Sequence, residues 1–320
     1  YTTIGGAMGF GSVSGSAPAT VAAMGRMVYP EMRRAGFSEK FSLGLLVASA
    51  ETALLIPPSI TLIVYGWITG TSISQLFAGG LAVGVVLAAA FAIFVHIQAL
   101  RSGVTADPRL PWGARFHAIW RAKWALGMPV IILGGIYSGV ITPTEAAAVS
   151  VVYAILVEMV VLRSLDLKGL VQITEESAIN TAIIFVLLAV GGLISFFVTL
   201  AQIPAGIISM METAEAGRIT FLIVVNLCFF VAGMFIDPNS TLLILVPPLF
   251  PVAQSFGIDP VHFGMIATLN VCLGMITPPF GLDIFVASST LDKPVTEIIK
   301  GVWPSLSLAF KSTGGGERLA

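Results

Sequence analysis

The chain reads as an all-α polytopic membrane protein built around an inverted repeat, and three observations carry that reading. Of 320 residues, 56% are apolar and 10% charged, with a mean hydropathy of +0.96, whereas soluble domains carry about a quarter charged residues. Apolar stretches near the roughly 20 residues that cross a 30 Å hydrocarbon core recur along its length. Two segments 221 residues apart also repeat one order of helix and break. The 16 basic and 17 acidic residues leave a formal charge of −1, which gives no footprint for nucleic acid. Cys228 and Cys272 sit inside apolar runs and are too few for a metal cluster or a disulfide scaffold.

Taken in order, continuous spans are expected at 42–67, 75–100, 122–141, 144–163, 177–200 and 260–287, giving six crossings. Two further apolar stretches, 1–34 and 219–256, are interrupted by Ser-Gly-Ser-Ala-Pro (14–18) and Asp-Pro-Asn-Ser (237–240). Such residues break helices, so these stretches are expected to enter the membrane and return. The start at Tyr1 has no basic n-region followed by a short apolar core, so it is not a signal peptide and suggests a fragment. Residues 298–310 are apolar but run into a polar tail, 311–320, which suggests a truncated last span. The expected organisation is 1–70 as the first hairpin and broken helix, 71–215 as connecting helices, 216–290 as the second hairpin and broken helix, and 291–320 as the remainder.

Loop charges orient this layout, because cytoplasmic loops carry the Lys and Arg excess. With re-entrant hairpins, Arg33, Arg34, Lys40, Arg101, Arg109, Arg115, Arg121, Lys123, Arg163, Lys168, Lys293 and Lys300 fall on one side and only Arg218 on the other. That side is then cytoplasmic, the first hairpin opening from it and the second from outside. Segment 109–123 alternates Arg with Trp and Phe and suits an amphipathic helix lying against lipid at the inner interface.

The repeat aligns Thr20 with Thr241, Pro30 with Pro251, Gly36 with Gly257, and Pro57-Pro58 with Pro278-Pro279, without a gap. Four crossings separate the two double-proline helices, so the second copy starts on the opposite face. Inverted repeats of this kind are the architecture of many secondary transporters. A proline within a helix cannot bond the carbonyl four residues back, so Pro57-Pro58 free the carbonyls of Ala53 and Leu54, and Pro278-Pro279 those of Gly274 and Met275. Orphan carbonyls in hydrocarbon must be met by protein, water or an ion. With side-chain oxygens from the hairpin tips, Ser14 and Ser16 in one copy and Asp237, Asn239 and Ser240 in the other, they suit Na+. Thr52 and Thr277 stand beside the broken turns. The helices that start after each break point positive ends toward the midplane, where an anion is welcome.

At these residues the sequence resembles the large membrane subunit of the tripartite ATP-independent periplasmic (TRAP) transporters. The matching motifs are GSVSGSAPATVAAMGRMVYPEM (11–32), LLIPPSITLIVYGWITGTSISQLFAGG (54–80), GGIYSGVITPTEAAAVSVVYAIL (134–156), GMFIDPNSTLLILVPPLFPVA (233–253) and GIDPVHFGMIATLNVCLGMITPPFGLDIFVAS (257–288). The resemblance implies an elevator-type fold in the bacterial inner membrane and Na+-driven import of an organic acid such as a C4-dicarboxylate, sialic acid or sugar acid. It implies a periplasmic substrate-binding protein and a small membrane subunit as partners, with Na+ as coupling ion and no cofactor. It places one Na+ at Ser14, Gly15 and Ser16 with Ala53 to Pro57, and another at Asp237 to Asn239 with Gly274, Met275 and Thr277. Substrate contacts are expected from Ser16, Thr20, Ser59, Asn270 and Asp283, with Glu51 a further candidate.

The chain departs from the family's pattern at several points. Further N-terminal spans and a complete last helix are expected in the family. Glu51 stands where a small or hydroxyl residue is expected and Asp283 where Asn is usual. A carboxylate within a span costs about 2.5–3.5 kcal/mol on insertion scales and so is a functional candidate by default. Binding a cation, holding a proton and meeting an amino or hydroxyl group of the substrate all fit. Glu145 after Thr-Pro-Thr suits a helix first turn capped by Thr142 or Thr144, Glu158 reaches the interface, and Arg26 suits the inner headgroups or a substrate carboxylate. His96, His117 and His262 read as packed or interfacial side chains. An intramembrane enzyme finds no HExxH motif or paired aspartates, and GFGSVSG (9–15) is neither G-x-S-x-G nor a dinucleotide loop. A channel does not call for paired ion sites in an inverted repeat. The alternative is a Na+- or H+-coupled carboxylate carrier of the same plan that works without a binding protein.

Overall fold

The computed structural model describes residues 1–102 and 111–303; Arg109 and the end of the expected last span and tail, 304–320, lie outside them, as does the side chain of Arg101. Fifteen α-helices and one π-helical turn occur among the described residues, and no strand: α1 (Thr2–Ser14), α2 (Ala17–Arg34), α3 (Glu39–Ala50), α4 (Thr52–Leu55), α5 (Ile60–Thr69), α6 (Ile73–Ser102), α7 (Trp112–Arg121), α8 (Lys123–Tyr137), α9 (Pro143–Leu156), α10 (Leu167–Leu200), α11 (Ile203–Thr213), α12 (Arg218–Phe235), α13 (Pro238–Ser255), α14 (Pro260–Met275) and α15 (Leu282–Leu291), with the π-helical turn Val157–Val161 continuing α9. They fall into two compact units, one of residues 1–107 and 197–320, the other of 108–196.

The first unit contains both copies of the repeat, and the 221-residue offset recurs in the helix boundaries. Ala17–Arg34 and Pro238–Ser255 start and end at matching positions, and Glu39 and Pro260 open α3 and α14. The reason is local chemistry at equivalent positions. Ser16 and Asp237 cap α2 and α13 by accepting backbone N–H bonds, and Ser38 and Asp259 do the same for α3 and α14. Gly36 and Gly257, with φ of 90° and 67°, turn the chain between these helices. Both double-proline bonds are cis.

The expected span 42–67 is present as three pieces, α3, α4 and α5, and together Glu39–Thr69 is the most buried of the segments long and apolar enough to cross a membrane among the described residues. The expected span 260–287 is not continuous: it is the 16-residue α14 and the 10-residue α15, with residues 276–281 between them. Pro278-Pro279 and Gly281 (φ 50°) end one helix and set the start of the next. The first arm of the second hairpin, α12, is by itself long and apolar enough to cross a membrane. By length and composition five helical segments among the described residues qualify, or six if α7 and α8, bent by 67°, form one span. The chain is therefore a multi-pass membrane protein.

Small residues let the backbones of this unit close on one another, as packing without a hydrophobic drive requires. Gly44 and Gly301 meet backbone to backbone with no room for a side chain on either. At one end, Lys293 pairs with Glu39 at 2.5 Å, and Tyr29 Oη donates to the same carboxylate at 2.9 Å. The bond to Glu39 holds the Lys293 ammonium above its ordinary range.

In the second unit, α7 buries none of its residues, and its aromatic and basic side chains stack on one another. Phe116 lies on Trp120, and Arg115 sits 5.1 Å above the Trp112 ring. Lys123, opening α8, lies 4.3 Å above Trp120. Helix α9 begins with a reciprocal cap in which Thr142 and Glu145 satisfy each other's backbone N–H, so Glu145 has the capping role expected of it, with Thr142 as partner. Tyr153 Oη ties α9 to α8 through the Trp124 carbonyl at 2.8 Å.

Candidate functional site: two broken helices and a buried carboxyl pair

The tip of the first hairpin lies on the first break. A Cβ at Gly15 would fall 2.7 Å from the Pro58 carbonyl oxygen, and Gly15 has φ 60°, so only glycine fits. One turn earlier, Gly11 packs on Ala53, where an added Cβ would come within 2.6 Å of the Ala53 Cβ. Around this tip Ser14 Oγ and Thr20 Oγ1 are 3.2 Å apart, and Thr20 Oγ1 donates to the Ser16 carbonyl at 2.8 Å. The Ser14 and Thr20 hydroxyls thus gather at the Ser16 carbonyl, while the Ser16 hydroxyl caps α2. The carbonyl that Pro58 frees on Leu54 accepts the Ser59 hydroxyl at 2.6 Å, so a side chain one residue past the break replaces the missing N–H.

The second break is enclosed in the same way by α12. A Cβ at Gly274 would fall 2.6 Å from the Gly233 carbonyl carbon, and a Cβ at Gly233 would fall 2.9 Å from Val271 Cα. The Gly274 carbonyl accepts the Thr277 N–H at 2.9 Å, and Thr277 Oγ1 donates to the Leu273 carbonyl at 2.6 Å. The chain past the break is held by Gly281 N–H donating to the Met234 carbonyl, 3.1 Å away. The Met275 and Thr277 carbonyl oxygens both crowd Gly281, each 3.0 Å from where its Cβ would be. At the tip between α12 and α13, Asp237 Oδ2 accepts the N–H groups of Asn239 and Ser240 at 3.1 Å each, and the buried Asn239 Oδ1 has no partner.

The two copies meet at a pair of acids. Glu51, at the junction of α3 and α4, is 1% exposed, and Asp283, in the first turn of α15, is fully buried. The two carboxyl groups are within hydrogen-bonding reach of one another, and among the described residues no other group donates to any of their four oxygens. Cys272 of α14 neighbours both. Two ionised carboxylates are acceptors only and cannot satisfy each other; a proton or a cation between them can.

Asn270 is engaged elsewhere. Its Nδ2 donates to Asn226 Oδ1 of α12 at 2.6 Å and to the Ile266 carbonyl at 2.8 Å. Asn226 was not singled out from the sequence, where an Asn in an apolar run was the available signal. The structure thus brings Glu51 to Asp283, Gly15 to the first break and Ser59 to Leu54. It gives Asn270 and Thr20 separate partners in separate copies.

An interrupted helix in each of two repeats, with buried polar groups at the breaks, is an arrangement that many secondary transporters share. Residues 1–312 match the model of the tripartite ATP-independent periplasmic transporter, DctM component. The chain belongs to this family and is a transporter permease subunit, not an enzyme. It is 46% identical over 295 residues to the ectoine TRAP transporter large permease protein TeaC of Halomonas elongata, covering 92% of this chain and 69% of the relative. Over the same shares it is 42% identical to the ectoine/5-hydroxyectoine permease UehC of Ruegeria pomeroyi. It is 38% identical to the C4-dicarboxylate permease DctM of Pseudomonas aeruginosa, covering 93% of this chain and 70% of the relative.

Proposed function

We propose that the chain is the large permease of a Na+-coupled importer of organic acids in the bacterial inner membrane, fed by a periplasmic binding protein and paired with a small membrane subunit. The observation that carries the reading is that each hairpin packs on a proline break, Gly15 at the first and Gly233 and Met234 of α12 at the second. Na+ takes oxygen ligands, and the breaks offer carbonyls of Ala53, Gly274 and Met275 beside Ser14, Ser16, Asp237 and the unpartnered Asn239 Oδ1. Na+ binding orders the tips and raises affinity for the anion, and the hairpins with their broken helices, 1–70 and 216–290, then move as one loaded block against 71–215. The hairpins are re-entrant in this reading, with the basic loops cytoplasmic and α7 lying in the inner headgroups.

Two relatives at 46% and 42% identity are named for ectoine, which makes ectoine the first acid to test. Dicarboxylate is the comparison, after the relative at 38%. The test is uptake of both labelled acids into liposomes holding the full-length permease and its small subunit. Uptake that needs an inward Na+ gradient and the binding protein is expected. Uptake without the binding protein would favour a stand-alone carrier, and uptake indifferent to Na+ would refute the coupling.

A further inference from the structure

We propose that Glu51 and Asp283 form the receptor for a delocalised cationic group on the transported solute, so that the substrate class is a carboxylate bearing an amidinium or similar cation. The inference rests on the organic-acid reading above and names its substrate class. Its ground is geometric. Two acids contributed by different copies of the repeat meet inside the first unit, 1% and 0% exposed, and among the described residues no other group donates to their four oxygens. Neither takes part in an ion pair among the described residues.

Leaving a buried carboxylate without a partner costs several kcal/mol, and two side by side add repulsion. A bare dicarboxylate deepens that repulsion. A planar cation with N–H donors on two edges relieves it, because each edge serves one carboxylate in a charge-assisted bond. Ectoine has this chemistry: one small ring carries an amidinium and a carboxylate. The pair also sits where both broken helices are within reach, Glu51 just before the first break and Asp283 just after the second. Asp283 lies in the first turn of α15, so the positive end of that helix is beside the site and can meet the solute's own carboxylate.

The test is equilibrium binding of labelled ectoine to the purified full-length permease with its small subunit in Na+, without the binding protein. In the wild type, ectoine binds and a hundredfold excess of succinate does not displace it. Glu51→Gln and Asp283→Asn keep shape and remove charge, and each lowers ectoine affinity tenfold or more while melting temperature in detergent is retained. Wild-type binding with both variants equal to it overturns the pair's role and leaves the transport reading standing. Displacement by succinate in the wild type overturns the inference without relying on any variant. Loss of Na+-dependent uptake of every acid is a separate readout and refutes the transport reading instead.

Discussion

The two copies of the repeat share their punctuation and differ in their chemistry. Ser16 and Asp237, Ser38 and Asp259, Gly36 and Gly257, and the two Pro-Pro steps stand 221 residues apart and do equivalent jobs. The polar residues at the centre do not follow that register. Glu51 is matched by Cys272 and Asp283 by Leu62, so each copy carries one acid, on opposite sides of its break. Ser59, which repairs the first break, is matched by Phe280, and the second break is repaired through Thr277 instead. Symmetry is kept where backbone geometry needs it and dropped among the buried polar side chains.

The largest expected effect comes from filling the close approaches. Gly274→Leu would drive a side chain into the backbone of α12, which cannot yield; loss of several kcal/mol and of folded protein in detergent is expected. Gly5→Ala, which meets nothing within 4 Å, should leave melting unchanged. Equal melting of the two variants would break the comparison.

Next is the repair of each break. Pro57-Pro58→Ala-Ala and Pro278-Pro279→Ala-Ala restore the missing N–H groups and should each weaken the Na+ dependence of uptake tenfold or more. Unchanged Na+ affinity in either would remove that break from the ion sites. Asn270→Ala should cost about 1–3 kcal/mol, because Asn226 Oδ1 loses its donor in an apolar setting; a double-mutant cycle with Asn226→Ala measures the coupling. The smallest effect is expected for Glu145→Ala, a slight fall in melting temperature through the reciprocal cap of α9, with uptake kinetics unaltered. Altered substrate affinity in that variant would place Glu145 in the site.

The sequence made the breaks, the interruptions between paired helices and the Thr142 cap legible, because Pro, Gly, Ser, Asp and Thr act within a turn of where they stand; the caps by Ser38 and Asp259, and those by Ser16 and Asp237, emerge only in the structure. It did not reveal that Leu54's carbonyl is met by Ser59, since that depends on how the chain leaves the break. It flagged Glu51 and Asp283 separately as costly carboxylates. Their meeting follows from how two distant copies pack, and no local pattern records it. The same holds for Asn226 and Asn270. The segment 260–287 divides at its proline pair, as 42–67 does, with Gly281 setting the start of the second piece.

The central claim is that the two breaks are ion sites that couple Na+ to solute. The most direct measurement is the initial rate of uptake against Na+ concentration in liposomes holding the full-length permease, its small subunit and the binding protein. A sigmoidal dependence with a Hill coefficient above one is expected from two sites, flattening toward one when either Pro-Pro pair is replaced. A rate that is independent of Na+ and follows an imposed pH gradient instead would contradict the account.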